Sequence, residues 1–122
     1  EEGIGCVVFS PLAQGMLTEK YLTGIPEGSR AARSEGFLSA EQVEEFRPQI
    51  QGLHGISQAR GESLQHLALN WTRHHAAVTS TLVGARSVSQ LDDLLDSLQS
   101  DPITDAQLKA INEIAPATDR GE

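Results

Sequence analysis

The sequence contains few of the groups that covalent cross-links and metal sites require. Its 122 residues include one cysteine, one tyrosine and one tryptophan. A single cysteine, Cys6, excludes an intrachain disulfide and a cysteine-based metal cluster, and it fits a reducing compartment. Because Cys6 precedes two valines, we expect its thiol to be buried in a strand.

Positive charge is also scarce. Nine Lys and Arg stand against 17 Asp and Glu, a formal net charge of -8, so the surface as a whole repels nucleic acid and anionic lipid. No apolar run approaches the roughly 18 residues of a membrane span, and the first residues, EEGIG, are neither basic nor followed by the long apolar core of a signal peptide. We expect a cytoplasmic protein with no nucleic-acid or membrane partner. Because the sequence does not begin with methionine, we also expect a piece of a longer chain.

The composition that remains is that of an ordinary soluble domain. With 39% hydrophobic and 21% charged residues, we interpret 1–122 as a single domain. β-branched runs predict strands at 3–9 and 78–83, the first buried on both faces as in a parallel sheet. Three glycines and a proline in 16–38 predict a helical turn at 16–22 followed by a long loop.

Helix-start signals account for most of the remaining chain. A Ser or Thr followed three residues later by Gln is typical of a capping box. The first box starts a helix to about residue 46, after which Pro48 kinks it or begins a new helix that runs to residue 60, with Gly61 as the stop. Apolar spacing predicts an amphipathic helix over 63–75. The three boxes lie at Ser39/Gln42, Ser87/Gln90 and Thr104/Gln107.

Two further helices follow the second strand, so the predicted order is strand, loop, helices, strand, helix, helix, which is an α/β pattern. Apolar residues define one face of the first of these two helices, which we expect to end near residue 98. Pro116 ends the second helix, and we expect the acidic tail beyond it to be frayed. The residues of the predicted apolar face are Val88, Leu91, Leu95 and Leu98.

Two loops follow the predicted strands, and ligands of parallel α/β folds bind at the carboxyl ends of strands. The second loop leads into a helix N-terminus, which favours anions, and Arg86 can bind phosphate through two hydrogen bonds. The pattern predicts a phosphate or nucleotide site. The alternative is that Lys20, Arg30 and Arg86 are solvated surface charges.

No catalytic or metal-binding set emerges from the remaining residues. We expect Tyr21 to pack rather than to react. His74 and His75 are adjacent and would point to different helix faces, which disfavours a metal site. Ser10 lacks the GxSxG elbow of a hydrolase.

Two segments resemble the aldo-keto reductases. FSPLAQGMLTEKYLTGIPEGSR (9–30) and VTSTLVGARSVSQLDDLL (78–95) are similar to the cofactor loops after the seventh and eighth strands of that family, in the branch with glyceraldehyde phosphate reductases and potassium-channel β subunits. LQHLALNWTRHHAAVTSTLVGA joins the two loops. The resemblance implies a (β/α)8 TIM barrel that binds NADPH without a Rossmann fingerprint. This chain would be its C-terminal part, with strands 7 and 8 and their helices.

The resemblance also implies roles for individual residues. Phe9 would stack on the nicotinamide, the loop after it would follow the pyrophosphate, and Arg86 would hold the adenosine 2′-phosphate. Asp93 would contact the adenosine in place of a glutamate, whereas Leu94 stands where the family commonly has an asparagine that bonds adenine. The implied NADP(H)-binding residues are Phe9, Ser10, Pro11, Leu12, Ala13, Gly15, Lys20, Arg30, Gly84, Arg86, Gln90 and Asp93.

The family's catalytic aspartate, tyrosine, lysine and histidine come from earlier strands, and nothing in this sequence replaces them. The leading hypothesis is therefore the cofactor-binding portion of a carbonyl reductase, inactive alone. Two strands do not close a barrel, so we expect self-association or a missing N-terminal barrel portion. The alternative is a nonenzymatic module that oligomerises or binds nucleotide weakly.

Overall fold

The computed structural model describes residues 2–27, 29, 32 and 38–116. The tail after Pro116, predicted to be frayed, lies outside these residues. The strands are β1 (Val7–Val8) and β2 (Ser80–Thr81), and the α-helices are α1 (Ala40–Ala59), α2 (Leu64–His74), α3 (Val88–Asp96) and α4 (Asp105–Ile114). Short 3-10 helices span Ala13–Gly15, Glu19–Tyr21 and Ser97–Gln99. Within the described ranges, no helix is long and apolar enough to cross a membrane.

The two strands pair in parallel, with Val7 opposite Ser80 and Val8 opposite Thr81. Both are shorter than the predicted 3–9 and 78–83, and the prediction of a strand buried on both faces is wrong, because Val7 is exposed. The expected buried thiol is likewise wrong, since Cys6 is exposed. Burial on both faces needs layers above and below the sheet, and the described residues do not supply them around β1.

Helix α1 shows the predicted capping box, in which Ser39 and Gln42 exchange hydrogen bonds between side chain and backbone. The predicted end near residue 46 is wrong, because α1 continues through Pro48 to Ala59. Proline removes one backbone donor from a helix. Buried Val43 and Ile50 lie on either side of Pro48, and we attribute the continuity of α1 to this packing.

The core lies between α1, α2, α4 and the segment that leads into α4. It contains Ile50, Leu53, Leu64, Leu67, Ile103 and Ile111. Each such side chain contributes about 1.5–3 kcal/mol on burial. Packing of α1 against α2 and α4, and of α2 against α3, therefore carries the fold, and the two-stranded sheet is attached to α2 through β2.

A buried ion pair lies in the turn between α1 and α2, and its arginine also bonds to the start of α4 and the segment before it. Arg60 donates from Nε to Glu62 Oε1 at 2.5 Å, and both side chains are almost fully buried. The Arg60 guanidinium also donates to Gln107 Oε1 at 2.6 Å and to the Asp101 carbonyl at 2.5 Å. Asn70 donates to the second Glu62 oxygen at 2.9 Å. The buried charges are therefore well supplied with hydrogen-bond partners, which a buried pair requires.

The apolar face predicted for α3 is not packed. The four residues of that face are exposed: Val88 to 76%, Leu91 to 41%, Leu95 to 50% and, in the 3-10 helix that follows α3, Leu98 to 61%. The α3 residue that is buried is Leu94, which lies on the side of the helix that faces α2. We call the four exposed side chains the α3 stripe.

Two glycines of α1 differ in their surroundings, and this difference predicts different effects of alanine. A Cβ added at Gly52 would lie 3.2 Å from Ile114 of α4, whereas one at Gly55 would meet no atom within 4 Å. Alanine in a helix interior is favoured over glycine by about 1 kcal/mol. We expect Gly55→Ala to raise the free energy of unfolding by about that amount and Gly52→Ala to give less or a loss. Urea denaturation of both variants measures this, and equal gains would contradict the close approach of α1 to α4.

Candidate functional site

The loops after β1 and β2 line one cavity of about 780 Å³, a volume within the range of small-molecule sites. We call it the polar cavity. It brings together nine of the twelve residues predicted to bind a cofactor. These nine are Ser10, Pro11, Leu12, Gly15, Lys20, Gly84, Arg86, Gln90 and Asp93.

Two of the other three predicted residues lie in a different space, and the third falls on a residue that the structure does not describe. Phe9 and Ala13 line an apolar groove of about 570 Å³ whose walls also include Phe46 and Trp71. Arg30 lies outside the described residues. We call this second space the apolar groove. Ser10 and Pro11 line both spaces, so the cavity and the groove meet at the end of β1.

The first loop turns sharply where it enters the cavity. Ser10 and Ala13 have positive φ angles of 54° and 49°, and Gly15 has a φ of 94°. A residue with a Cβ in this left-handed region costs about 1–2 kcal/mol. Such outliers persist where surrounding contacts fix the backbone, and they occur often at ligand sites.

Helix α1 holds the part of this loop that carries Lys20. Tyr21 is fully buried, as predicted for a packing residue, and its carbonyl accepts a 3.3 Å hydrogen bond from Arg47 Nε. Gln51 donates to the Leu22 carbonyl at 3.0 Å. The backbone next to Lys20 is therefore fixed, while the exposed Lys20 side chain points toward the cavity it lines.

The second loop enters α3 through a variant of the predicted capping box. Ser87 Oγ accepts from the Gln90 amide at 3.2 Å, as predicted. The Gln90 side chain does not return to Ser87, however, and instead accepts from the Arg86 amide at 2.7 Å. That backbone donor is therefore already used. The guanidinium of Arg86 has no hydrogen bond to any other described residue and is exposed in the cavity wall.

Asp93 is held by two side chains of α2 that sequence reasoning missed. Gln65 Nε2 donates to Asp93 Oδ2 at 3.0 Å, and His66 Nε2 lies 2.6 Å from the Asp93 carbonyl and 3.4 Å from Oδ1. A carbonyl oxygen only accepts, so His66 Nε2 carries a hydrogen. No local pattern marks Gln65, because its contact depends on how α2 packs against α3.

The remaining candidates form no reactive set. His54 Nδ1 lies 3.8 Å from Glu19 Oε1, and the rings of Trp71 and His75 pack edge to face with centroids 4.6 Å apart. Among the residues that the structure describes, no three His, Cys, Asp or Glu side chains cluster as metal ligands. Gly84 has open space around it, so a ligand can approach its backbone.

Comparison with known proteins gives one consistent family. The sequence profile described as "Aldo/keto reductase family" matches residues 1–116. The chain is 37% identical over 115 residues to an L-glyceraldehyde 3-phosphate reductase of Escherichia coli O157:H7, covering 91% of this chain and 33% of that protein. It is 36% identical over 117 residues to a putative voltage-gated potassium channel subunit beta of Schizosaccharomyces pombe, covering 92% and 34%.

A solved structure supports the same fold. An aldo-keto reductase from Bacillus halodurans in its holo form matches with a TM-score of 0.63 at 24% identity, covering 95% of this chain and 35% of that one. The chain thus spans about a third of the length of the curated relatives and of this structure.

Proposed function

The chain belongs to the aldo/keto reductase family, and we propose that its polar cavity binds NADP(H) as the C-terminal, cofactor-holding portion of a carbonyl reductase. One observation carries this proposal: Lys20 and Arg86, from loops 66 residues apart in sequence, line the same cavity. In a chain of net charge -8, two cations that line one cavity and have no side-chain hydrogen bonds to described residues favour an anionic ligand.

The shape of the two spaces fits an extended dinucleotide. The polar cavity offers cations for phosphates, and the apolar groove carries the exposed ring of Phe9. Because Ser10 and Pro11 line both, a ligand can pass from one to the other along the end of β1. We propose that the phosphates occupy the polar cavity and that the nicotinamide lies toward Phe9. In this proposal β1 and β2 correspond to the seventh and eighth strands of a barrel.

The relatives support carbonyl chemistry in the larger protein. One of them is named an L-glyceraldehyde 3-phosphate reductase, and reduction of an aldehyde by NADPH transfers hydride to its carbonyl carbon. The one tyrosine in this sequence is fully buried at Tyr21, where it cannot protonate a substrate. We therefore propose that the chemistry needs residues from outside these 122 positions.

Charge reversal at Arg86 tests the cofactor site. We expect Arg86→Glu to weaken NADPH binding about tenfold or more, since a hydrogen bond to a charged group contributes about 1.5–3 kcal/mol and the new carboxylate repels phosphate. Calorimetric titration measures the dissociation constant. Lys109→Glu is the matched control, because it changes net charge equally at an exposed position of α4 outside the cavity. If millimolar NADPH does not bind the unaltered protein, the cofactor proposal is wrong.

The purified protein should not reduce carbonyl compounds by itself. With Tyr21 buried and no other tyrosine in the chain, the proton donor of the family's reaction is absent. We expect no NADPH oxidation with a panel of aldehydes, while the Escherichia coli relative is active in the same assay. Turnover that persists through repeated purification would refute the assignment of chemistry to other residues.

A second proposal concerns the exposed apolar surfaces, which the proposed cofactor site in the polar cavity does not explain. The α3 stripe is exposed, the apolar groove is open, and the described sheet has two strands. A two-stranded sheet is marginal in water, and contiguous exposed apolar surface marks an interface. We propose that these surfaces pack against further barrel strands and helices, and that copies of this chain associate when those elements are missing.

Size measurements with a charged substitution in the stripe test this association. We expect light scattering to show oligomers at micromolar concentration, and Leu95→Glu to shift the population toward the monomer because a carboxylate is costly to bury. Gln99→Glu adds the same charge at a nearby exposed position and should leave the oligomers intact. A monodisperse monomer of the unaltered protein would rule out self-association.

A further inference from the structure

One face of α1 carries three polar side chains that reach the segment holding Lys20. They are spaced by four and then three residues, which places them side by side along the helix. We infer that one of them, Gln51, is a positioning residue that presets Lys20 for an anionic ligand of the polar cavity. The inference rests on the proposed function, because it explains how one cation of that site is held. The three side chains are Arg47, Gln51 and His54.

The segment that carries Lys20 has little internal support. It is a 3-10 helix of three residues, Glu19–Tyr21, closed by a backbone bond from the Leu22 amide to the Glu19 carbonyl at 3.4 Å. A single turn of this kind has poor hydrogen-bond geometry, and the last carbonyls of a helix have no partner inside it. Support from outside the turn therefore decides whether the turn keeps its shape.

Helix α1 supplies this support at the end of the turn. Gln51 Nε2 donates to the Leu22 carbonyl at 3.0 Å, and Arg47 Nε donates to the Tyr21 carbonyl at 3.3 Å. A carbonyl oxygen only accepts, so the Gln51 amide presents its nitrogen to Leu22. Gln51 lies at an exposed position, and replacing it therefore removes the hydrogen bond without opening a cavity in the core.

The Lys20 side chain leaves the turn on the cavity side and lies over Gly15. A Cβ added at Gly15 would lie 3.8 Å from both Cδ and Nζ of Lys20, and both residues line the polar cavity. The stem of the lysine thus packs beside the sharp bend of the first loop, where Gly15 has a φ of 94°. The place of the ammonium depends on the backbone of Lys20, which the bonds from α1 hold.

Holding the turn before a ligand arrives increases the affinity for that ligand. A loop that becomes ordered only on binding offsets part of the interaction free energy, and preorganisation reduces this cost. We expect the bond from Gln51 to change the affinity about threefold, which is within the range of one intramolecular hydrogen bond. The effect exists only while the Lys20 ammonium contacts the ligand, and this condition separates positioning from general stability.

A double-mutant cycle with Lys20 tests the inference. Gln51→Met removes the amide donor and keeps the length of the side chain, and we expect it to weaken NADPH binding about threefold. In a Lys20→Met background the same substitution should leave the affinity unchanged, because the ammonium that it positions is gone. Calorimetric titration of the four proteins measures the coupling, and thermal melting confirms that each one folds.

The matched control is Gln58→Met, which makes the same substitution at an exposed position of α1 outside the cavity. It should keep the full affinity for NADPH. A loss in this variant equal to that in Gln51→Met would overturn the inference, because a general effect on α1 would then explain both.

The remaining outcomes separate this inference from the proposal beneath it. Equal weakening by Gln51→Met in both backgrounds overturns the positioning role, since the loss would not depend on Lys20. No weakening by Gln51→Met, or none by Lys20→Met, also overturns it, and the cofactor site still stands if Arg86→Glu weakens binding. If the unaltered protein binds no NADPH, both proposals are wrong.

Discussion

The parallel pairing of β1 with β2 is the interaction on which the candidate site depends. The two strands share a direction, so both of their carboxyl ends reach the same edge of the sheet, and both following loops start there. The two segments are joined by backbone hydrogen bonds from the Thr79 amide to the Cys6 carbonyl at 2.8 Å and from the Leu82 amide to the Val8 carbonyl at 2.9 Å. The Cys6 amide also donates to Thr79 Oγ1 at 3.0 Å. Antiparallel pairing would send the loops to opposite ends, and Lys20 would not share a cavity with Arg86.

The helices turn this pairing into a defined cavity. Helix α1 fixes the first loop through Tyr21 and the carbonyls that Arg47 and Gln51 bind. Helix α2 holds α3 through Gln65 and His66, and the helical core in turn gives α1 and α2 their relative position. The residues that form the helical core and the loop residues proposed to bind a ligand are therefore different, as is common where loops supply function on a rigid scaffold.

Local chemistry explains what the sequence predicts well. Ser39, Ser87 and Thr104 each cap a helix where their side chains can reach an amide three residues on, and Gly61 adopts the left-handed φ of a helix stop. These features depend on neighbours in the chain. The resemblance in 9–30 and 78–95 also predicts a family that the comparisons confirm.

Features that depend on distant neighbours were harder to predict. Strand length and the burial of Cys6 and the α3 stripe follow from which elements cover each surface, and a periodic pattern records only that a face is apolar. The Gln90 side chain accepts from the Arg86 amide rather than from the Ser87 amide that a capping box would use, and the backbone geometry before α3 determines this. The contact of Gln65 with Asp93 could not be predicted from the sequence, because it depends on how α2 packs against α3. For the same reason, the pattern of 3–9 could not show that β1 has one neighbour in the described sheet.

That two-stranded sheet has a further consequence. The open edge of each strand presents backbone N–H and C=O groups that can pair with a further strand. This pairing depends on backbone geometry and not on which polypeptide the further strand belongs to. A segment from the same polypeptide and one from a separate molecule would form the same ladder. For such a sheet, covalent continuity sets the local concentration of any added strand and leaves the geometry of its docking unchanged.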